Sequence, residues 1–368
     1  MTASIASMAR KIIEHEVRKG RGAASNPEGR FERRSTEPVD DGWYREAAPG
    51  RPEETVLPDH ARSVITRNDS PDVGFEISIN PYRGCAHGCV YCFARPSHSY
   101  LGLSPGLDFE TKLFYKENAV ELLEAELARP GYLCRPVALG INTDGWQPLE
   151  RRLEVSRRIL EVLARCHHPV SIVTKSALIV RDLDLLEPMA QENLVSVTLS
   201  ITSLSEALKR TLEPRTASPQ ARLRTIETLA RAGIPVGVLV APVIPALTDH
   251  ELESILEAAQ AAGASSAGYV LLRLPHELKG LFREWLSDHA PGRAAHVMSL
   301  IQQARGGRDY DARFGERMHG TGVYAELLAR RFEVAVRRLG LEGGGRRHAL
   351  DTHRFRPPAR TPQLSLDL

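Results

Sequence analysis

Between about residues 75 and 275, short apolar and β-branched runs alternate with longer stretches in which apolar residues recur every three or four positions. The runs FEISIN (75–80), VALGINT (137–143), VSIVTKS (170–176), LVSVTLSIT (194–202), PVGVLVAPV (235–243) and AGYVLLRL (267–274) predict six strands. The stretches between them, such as ENAVELLEAELAR, ERRLEVSRRILEVLARC, SPQARLRTIETLARAG and DHELESILEAAQAAG, predict amphipathic helices. Strand and helix in alternation make an α/β fold with a parallel sheet, and near-continuous apolar strands mean that both sheet faces are covered. The sheet is open or partly closed. In a βα barrel the chemistry lies at the C-terminal ends of the strands. Those ends read INPYRGC, NTDGWQP, TKSAL, SITSL, PVIPALTD and RLPHE, all polar or turn-forming.

The flanks follow other patterns. Residues 1–70 are rich in Arg, Glu, Pro, Gly and Ser with little periodicity, which predicts an irregular, partly disordered N-terminal segment ahead of a βα body over 71–275. Three helical patterns, HELKGLFREWLSDH, RAAHVMSLIQQARGG and GVYAELLARRFEVAVRRLGL, predict a helical C-terminal extension over 276–342, and 343–368 reads as an Arg/Pro-rich tail. A hydrophobic content of 42% over 368 residues supports a sizeable core. With 48 basic against 46 acidic residues, no global field argues for a polyanionic partner. No apolar run reaches the roughly 18 residues of a membrane span, and the opening MTASIASMARKIIEHEVRKG is helical and charged without a signal-peptide core. A cytoplasmic protein with no membrane partner is expected.

Three of the five cysteines, Cys85, Cys89 and Cys92, crowd into eight residues just after the first strand. That placement suits a metal site in a reducing compartment better than a disulfide framework. Three thiolates satisfy three irons of a four-iron cubane and leave the fourth open to another ligand. Gly84 and Gly88 let the loop curl so that backbone amides reach the cluster sulfurs. A zinc site with His87 or a remote residue as fourth ligand is the alternative, although no second CxxC or HxxxH lies elsewhere. Three buried, unliganded cysteines are a third reading.

The pattern CxxxCx(aromatic)C, completed by Tyr91, resembles the cluster loop of the radical S-adenosylmethionine (radical SAM) superfamily, and the resemblance extends over about residues 75–275. NTDGWQPLER, VTKS, SIT and EPRTASPQARL are similar to the spore photoproduct lyase-like group, related to the DNA repair photolyases. RGAASNPEGRFE, FRPP and QLSL resemble a bacterial branch of it. The resemblance implies a partial (β/α)6 barrel with a [4Fe-4S] cluster on Cys85, Cys89 and Cys92. It also implies that the amino and carboxylate groups of S-adenosylmethionine chelate the open iron. Reduction of the cluster then cleaves the sulfonium bond, and the resulting 5′-deoxyadenosyl radical abstracts hydrogen from substrate. A flavodoxin- or ferredoxin-type electron donor goes with that chemistry.

By the same resemblance Tyr91 contacts the adenine, with loop packing as the alternative. Asn142, Thr143 and Asp144 stand where the superfamily binds the methionine amino group, with a short Asx turn as the alternative. Lys175 would pair with the methionine carboxylate, or else form a salt bridge at the barrel rim. Ser200 resembles a fourth-strand hydroxyl that bonds the ribose or carboxylate. Arg215 would clamp a carboxylate, or else pair with Glu213 or another loop acid.

Spore photoproduct lyase has a cysteine late in its second strand, where this chain has Ile141 and Asn142, so that repair reaction does not carry over. Cys134 precedes the strand and would sit roughly 20 Å from Ile141, toward the opposite rim. Cys166 ends a helix and reads as packing. Tyr100, beside His98, is a candidate hydrogen-atom relay or a loop-packing residue. From Arg305 to Arg360 there are 13 arginines against 7 acids, an excess of six that suits phosphate contacts. However, Arg330, Arg331, Arg337 and Arg338 have Glu326, Glu333 and Glu342 within reach on their own helix or just after it, which leaves GGGRRHALDTHRFRPPAR as the stronger candidate. The substrate expected on these grounds is a nucleic-acid lesion or nucleotide. A protein or small-molecule substrate, or a non-enzymatic metal-binding module for nucleic acid, are the alternatives.

Overall fold

Val, Ile, Leu and Ala fill β3 (Ile77–Ile79) and β6 (Val137–Leu139) almost without a polar break, and every position of these two strands is buried. The computed structural model describes residues 19–32, 53–343 and 349–359. In chain order the strands are β1 (Thr55–Pro58), β2 (Ile65–Arg67), β3, β4 (Tyr82–Arg83), β5 (Lys112–Tyr115), β6, β7 (Val170–Thr174), β8 (Val195–Ser200), β9 (Val236–Val243) and β10 (Ser266–Leu271). The main sheet runs β10-β9-β8-β7-β6-β3-β2. Its six strands from β3 to β10 are parallel and lie side by side in chain order, and β2 closes one edge antiparallel to β3. This is a partial (β/α)6 barrel. The register aligns Ile79, Leu139, Ile172 and Val197 across four strands, so their C-terminal ends open on one face.

All six expected strands are present, each trimmed at its ends. The helix expected over 150–166 arrives as two, Glu150–Leu153 and Val155–Arg165, because Glu154 takes a left-handed φ of 52°. The buried Glu150 carboxylate accepts the backbone N–H groups of Ser156 (3.0 Å) and Arg157 (3.1 Å), satisfying donors at the start of the second piece. The N-terminal segment is less irregular than expected. Its described part supplies β2 to the main sheet and β1 to a small sheet of order β1-β5-β4, for which short, polar-flanked strands carry no periodicity long enough to read. Helices Leu278–His289, Pro291–Gln303 and Gly322–Leu339 follow the barrel, and the last is tied to helix Leu252–Ala261 by Arg331 bonding Glu253 at 2.6 and 2.8 Å. No helix among the described residues is long and apolar enough to cross a membrane. The helical opening expected over residues 1–18 lies outside the described residues, as do Arg346, Arg347 and Arg360 of the tail.

Candidate active site

The three cysteines lie on a loop leaving β3 through β4, at the C-terminal face of the barrel. The loop is a succession of turns: the N–H of Gly88 bonds Cys85 O (3.3 Å), that of Cys92 bonds Cys89 O (3.2 Å) and that of Arg95 bonds Cys92 O (3.1 Å). Gly84 and Gly88 supply the left-handed φ values, 74° and 68°, that such a curl needs. Gln147 fastens the first half, accepting from the N–H of Ala86 (2.8 Å) and donating to Gly84 O (3.3 Å). Arg95, wholly buried, fastens the second half. Its guanidinium donates to the carbonyls of Gly88, Cys89, Pro105 and Gly106 and pairs with the buried Glu110.

Glu110 in turn receives the backbone N–H groups of Gly22 (3.1 Å) and Ala23 (2.9 Å) from the N-terminal strap. A side chain at Gly22 would stand 1.8 Å from Gly88 O, so only glycine lets strap and loop approach this closely. The loop is also zipped to the segment after β8: Val90 N–H bonds Leu212 O (3.0 Å), and Arg215 N–H bonds His87 O (3.2 Å).

Cys85 and Cys89 are each 7% exposed and Cys92 is partly exposed. Burial pushes all three thiols above their ordinary range, and the repulsion of neighbouring thiolates adds to this at Cys85 and Cys89. Backbone amides act in the other direction, those of His87 and Asp144 on Cys85 and those of Ala94 and Arg95 on Cys92. Among the described residues no three His, Cys, Asp or Glu side chains gather as ligands of one metal ion. In a cubane each thiolate takes a different iron, and neighbouring amides can bond the sulfurs. His87, the residue considered above as a zinc ligand, has its Nδ1 3.4 Å from Asp144, and burial lowers its pKa to about 4, so the ring is neutral.

Facing the loop, the ends of β7, β8 and β9 converge on one carbonyl. Ala241 O accepts from Lys175 Nζ (3.1 Å), Ser200 Oγ (3.1 Å) and Thr202 Oγ1 (2.8 Å), and Lys175 Nζ also donates to Ser200 Oγ at 2.6 Å. Lys175 lies 3.6 Å from Glu213 and 5.8 Å from the centre of the Tyr91 ring, and its charge favours the thiolates of Cys89 and Cys92. Glu213 is the hub behind it. It accepts from the Tyr91 hydroxyl and from Thr202 (2.9 Å), and it pairs with the buried Arg222, which also donates to Ser200 O (2.8 Å). Burial alone would raise the Glu213 pKa, but Arg222 and Lys175 outweigh it and hold the carboxyl well below the usual carboxylate range. Burial and the Glu213 charge push the Tyr91 phenol up, so it remains a hydroxyl donor.

A model of the radical SAM superfamily matches residues 79–259. An uncharacterised protein of Mycobacterium tuberculosis is 42% identical over 231 residues, covering 62% of this chain and 68% of its own length. The chain belongs to the radical SAM superfamily. An uncharacterised protein of Methanocaldococcus jannaschii is 28% identical over 178 residues, 48% of this chain and 64% of that protein. In fold the chain is similar to a mutant spore photoproduct lyase solved with bound AdoMet and dinucleoside spore photoproduct. The TM-score is 0.58 at 16% identity, over 78% of this chain and 81% of that one. As a radical SAM enzyme, this chain has a [4Fe-4S] cluster and S-adenosylmethionine as its cofactors.

The fold of this radical SAM chain brings Cys85, Cys89, Cys92, Tyr91, Lys175 and Ser200 to one face. It places others differently. Asp144 makes an Asx turn with Trp146 N–H (2.9 Å) and receives Thr174 Oγ1 and Lys175 N–H, both at 2.7 Å, so its carboxylate is taken up in joining two strand ends. Thr143 donates to Tyr82 O (2.9 Å), and the exposed Asn142 is held through its N–H by Asn80 (2.8 Å).

Two expected residues lie off the site. Arg215 turns outward to Glu54 (2.7 Å), the loop acid nearest to it. Tyr100 is 70% exposed, with its ring against Phe31 on the surface, while its neighbour His98 is buried and bonded to Lys112 O. Glu213, Arg222, Arg95 and Glu110 were missed as buried pairs. For Arg222 a signal existed: it shares a helical stripe with the buried Thr225, Ile226 and Leu229, and a buried guanidinium demands an acid.

The Arg-rich surface is also thinner than its count. Arg313 pairs with Asp311, Arg317 with Asp72 and Arg354 with Asp351, while Arg331 and Arg338 pair with Glu253 and Glu257 rather than with Glu326, Glu333 or Glu342.

Proposed function

We propose that this enzyme makes a 5′-deoxyadenosyl radical and uses it to abstract hydrogen from a nucleotide substrate. The observation that carries the reading is the convergence of the cysteine loop, through Tyr91, with Lys175 and Ser200 at the strand ends. When bound, the cluster supplies the electron that opens the sulfonium bond of S-adenosylmethionine. Cys85, Cys89 and Cys92 would hold it, on a loop whose backbone is fastened by Gln147 and Arg95. Lys175 offers its ammonium to the methionine carboxylate, and Ser200 orients that ammonium. Glu213, paired with Arg222, stands 3.6 Å from Lys175 and helps to hold that side chain at the strand ends. The Tyr91 ring, pinned by its hydroxyl, presents a fixed face for the adenine. A flavodoxin- or ferredoxin-type protein is the proposed electron donor.

The nucleotide assignment is supported by the fold shared with an enzyme solved with a dinucleoside product of DNA damage. The lyase reaction itself is not proposed, since Ile141 and Asn142 occupy the second-strand position and Cys134 precedes β6 at its other end. A free nucleotide or other small substrate is the second reading, favoured by the pairing of so many of the C-terminal arginines with acids.

Anaerobic reconstitution tests the assignment. About four irons and four sulfides per chain are expected, with 5′-deoxyadenosine formed from S-adenosylmethionine under dithionite. Stoichiometric zinc without cofactor cleavage would refute it. Cys89→Ala is expected to lose both cluster and cleavage, and deuterium appearing in 5′-deoxyadenosine from a labelled oligonucleotide or nucleotide identifies the substrate class.

A further inference from the structure

Most arginines at the rim of the barrel have an acid: Arg83 has Asp59, Arg215 has Glu54, Arg317 has Asp72 and Arg283 has Asp309. Arg273, two residues beyond the C-terminal end of β10, is different. Among the described residues its Nη1 meets only the thioether of Met318 at 3.5 Å, a weak acceptor, and its Nε is buried without a partner. The guanidinium lies over the ring of Phe93, 5.1 Å from its centre. Phe93 is 39% exposed and directly follows the ligand Cys92. Behind Arg273 stands Arg305, 1% exposed, whose Nη atoms donate to the carbonyls of Glu316, Leu271 and Leu272 while its Nε too has no partner. Burial and the nearby Arg273 pull the Arg305 pKa down to about 10. The nearest acid to offer help, Asp311, is already held by Arg313 at 2.7 Å.

A buried guanidinium at Arg305 and a half-buried one at Arg273, with no carboxylate bonded to either among the described residues, are costly unless something else brings the negative charge. Structural arginines elsewhere in this chain meet that cost with Glu110 or Glu213. At Arg273 the one bonded acceptor is a weak thioether, and the stack on Phe93 keeps the guanidinium beside the cluster loop, where a substrate must lie for hydrogen transfer. We propose that Arg273, set on Phe93 and backed by Arg305, is the anion-recognition residue of the substrate pocket and binds a phosphate of the nucleotide substrate. This rests on the nucleotide reading above, but the two can fail separately.

The test uses the reconstituted holoenzyme under anaerobic conditions, with thymidine 5′-monophosphate, a labelled ten-residue single-stranded thymidine oligonucleotide, inorganic phosphate and benzoate as probes. Equilibrium dialysis and fluorescence anisotropy measure binding, and iron content and the thermal midpoint monitor integrity. Arg273→Ala is expected to weaken nucleotide and oligonucleotide binding about tenfold or more. Arg273→Lys recovers only part of the loss, because an ammonium is not held flat on a ring as a guanidinium is. Phe93→Leu gives a smaller loss. If Arg273→Ala does not fold, Arg273→Lys and competition by inorganic phosphate against the oligonucleotide carry the comparison. Phosphate and benzoate binding that needs Arg273, with no nucleotide binding, upholds the anion site and sinks the nucleotide reading. Nucleotide binding indifferent to Arg273 overturns this assignment and leaves that reading standing. Wild-type protein that binds none of the probes overturns the site altogether.

Discussion

Two arginine–glutamate pairs are buried against the cluster loop, Arg95 with Glu110 on one side and Arg222 with Glu213 on the other, and they serve different ends. Among the described residues every further side-chain hydrogen bond of the first pair is to backbone: Arg95 to four carbonyls, and Glu110 to two amides of the strap. It is a peg that joins three stretches of chain. The second pair keeps a spare carboxylate oxygen, shared by Tyr91, Thr202 and Lys175, and Lys175 is 17% exposed toward the site. Burial is nearly equal, so burial does not separate scaffold from site. What separates them is whether the network ends in backbone or in a side chain with donors still free. By that criterion Arg273 belongs with the site, although it has no glutamate at all.

The contrast is open to attack by substitution. Glu110→Ala removes one half of the peg and strands Arg95, and it is expected to cost about 3–5 kcal/mol and most of the bound iron, read by denaturant unfolding of the apo chain and by iron analysis. Equal stability in that variant would mean that the pair holds nothing together. Lys175→Met leaves the fold within about 1 kcal/mol of wild type and raises the KM for S-adenosylmethionine by about ten- to a hundredfold, because a charge-assisted bond is lost at a partly open position. A drop in melting temperature without a change in KM would move Lys175 to the scaffold side. Gly22→Val forces the strap away from Gly88 O, with an expected loss of about 1–3 kcal/mol and faster bleaching of the cluster in air. Tyr100→Phe, on the surface, leaves 5′-deoxyadenosine formation within about twofold of wild type, and a larger loss would restore Tyr100 as a relay.

The barrel was legible because its strands are apolar on both faces and its helices on one, so periodicity alone marked β3 and β6 to β10 and their C-terminal ends. The cysteine trio was legible by spacing, and Lys175 stood out as a charge closing an apolar strand. The small sheet and the strap were not legible, since strands of two to four residues and a glycine-rich segment carry no periodic signal. Nor was the fate of Asp144, because an Asx turn and an open ligand position look alike in NTDGWQP until Thr174 and Lys175 are seen bonding the carboxylate.

The sequence by itself determined the order of strands and helices, the strand ends that share one face and the grouping of three cysteines on one loop, for these depend on neighbours along the chain. Only the tertiary structure decided which charges are partners. Glu213 is read from sequence as a partner for Arg215 two residues away, yet it pairs with Arg222, and Arg215 goes to Glu54. Pairing follows distance in space and the cost of leaving a desolvated charge alone, and a parallel sheet with helical crossovers brings together residues that no local pattern connects. That Arg273 meets no acid among the described residues is of the same kind, since it is visible only once its neighbours in space are known.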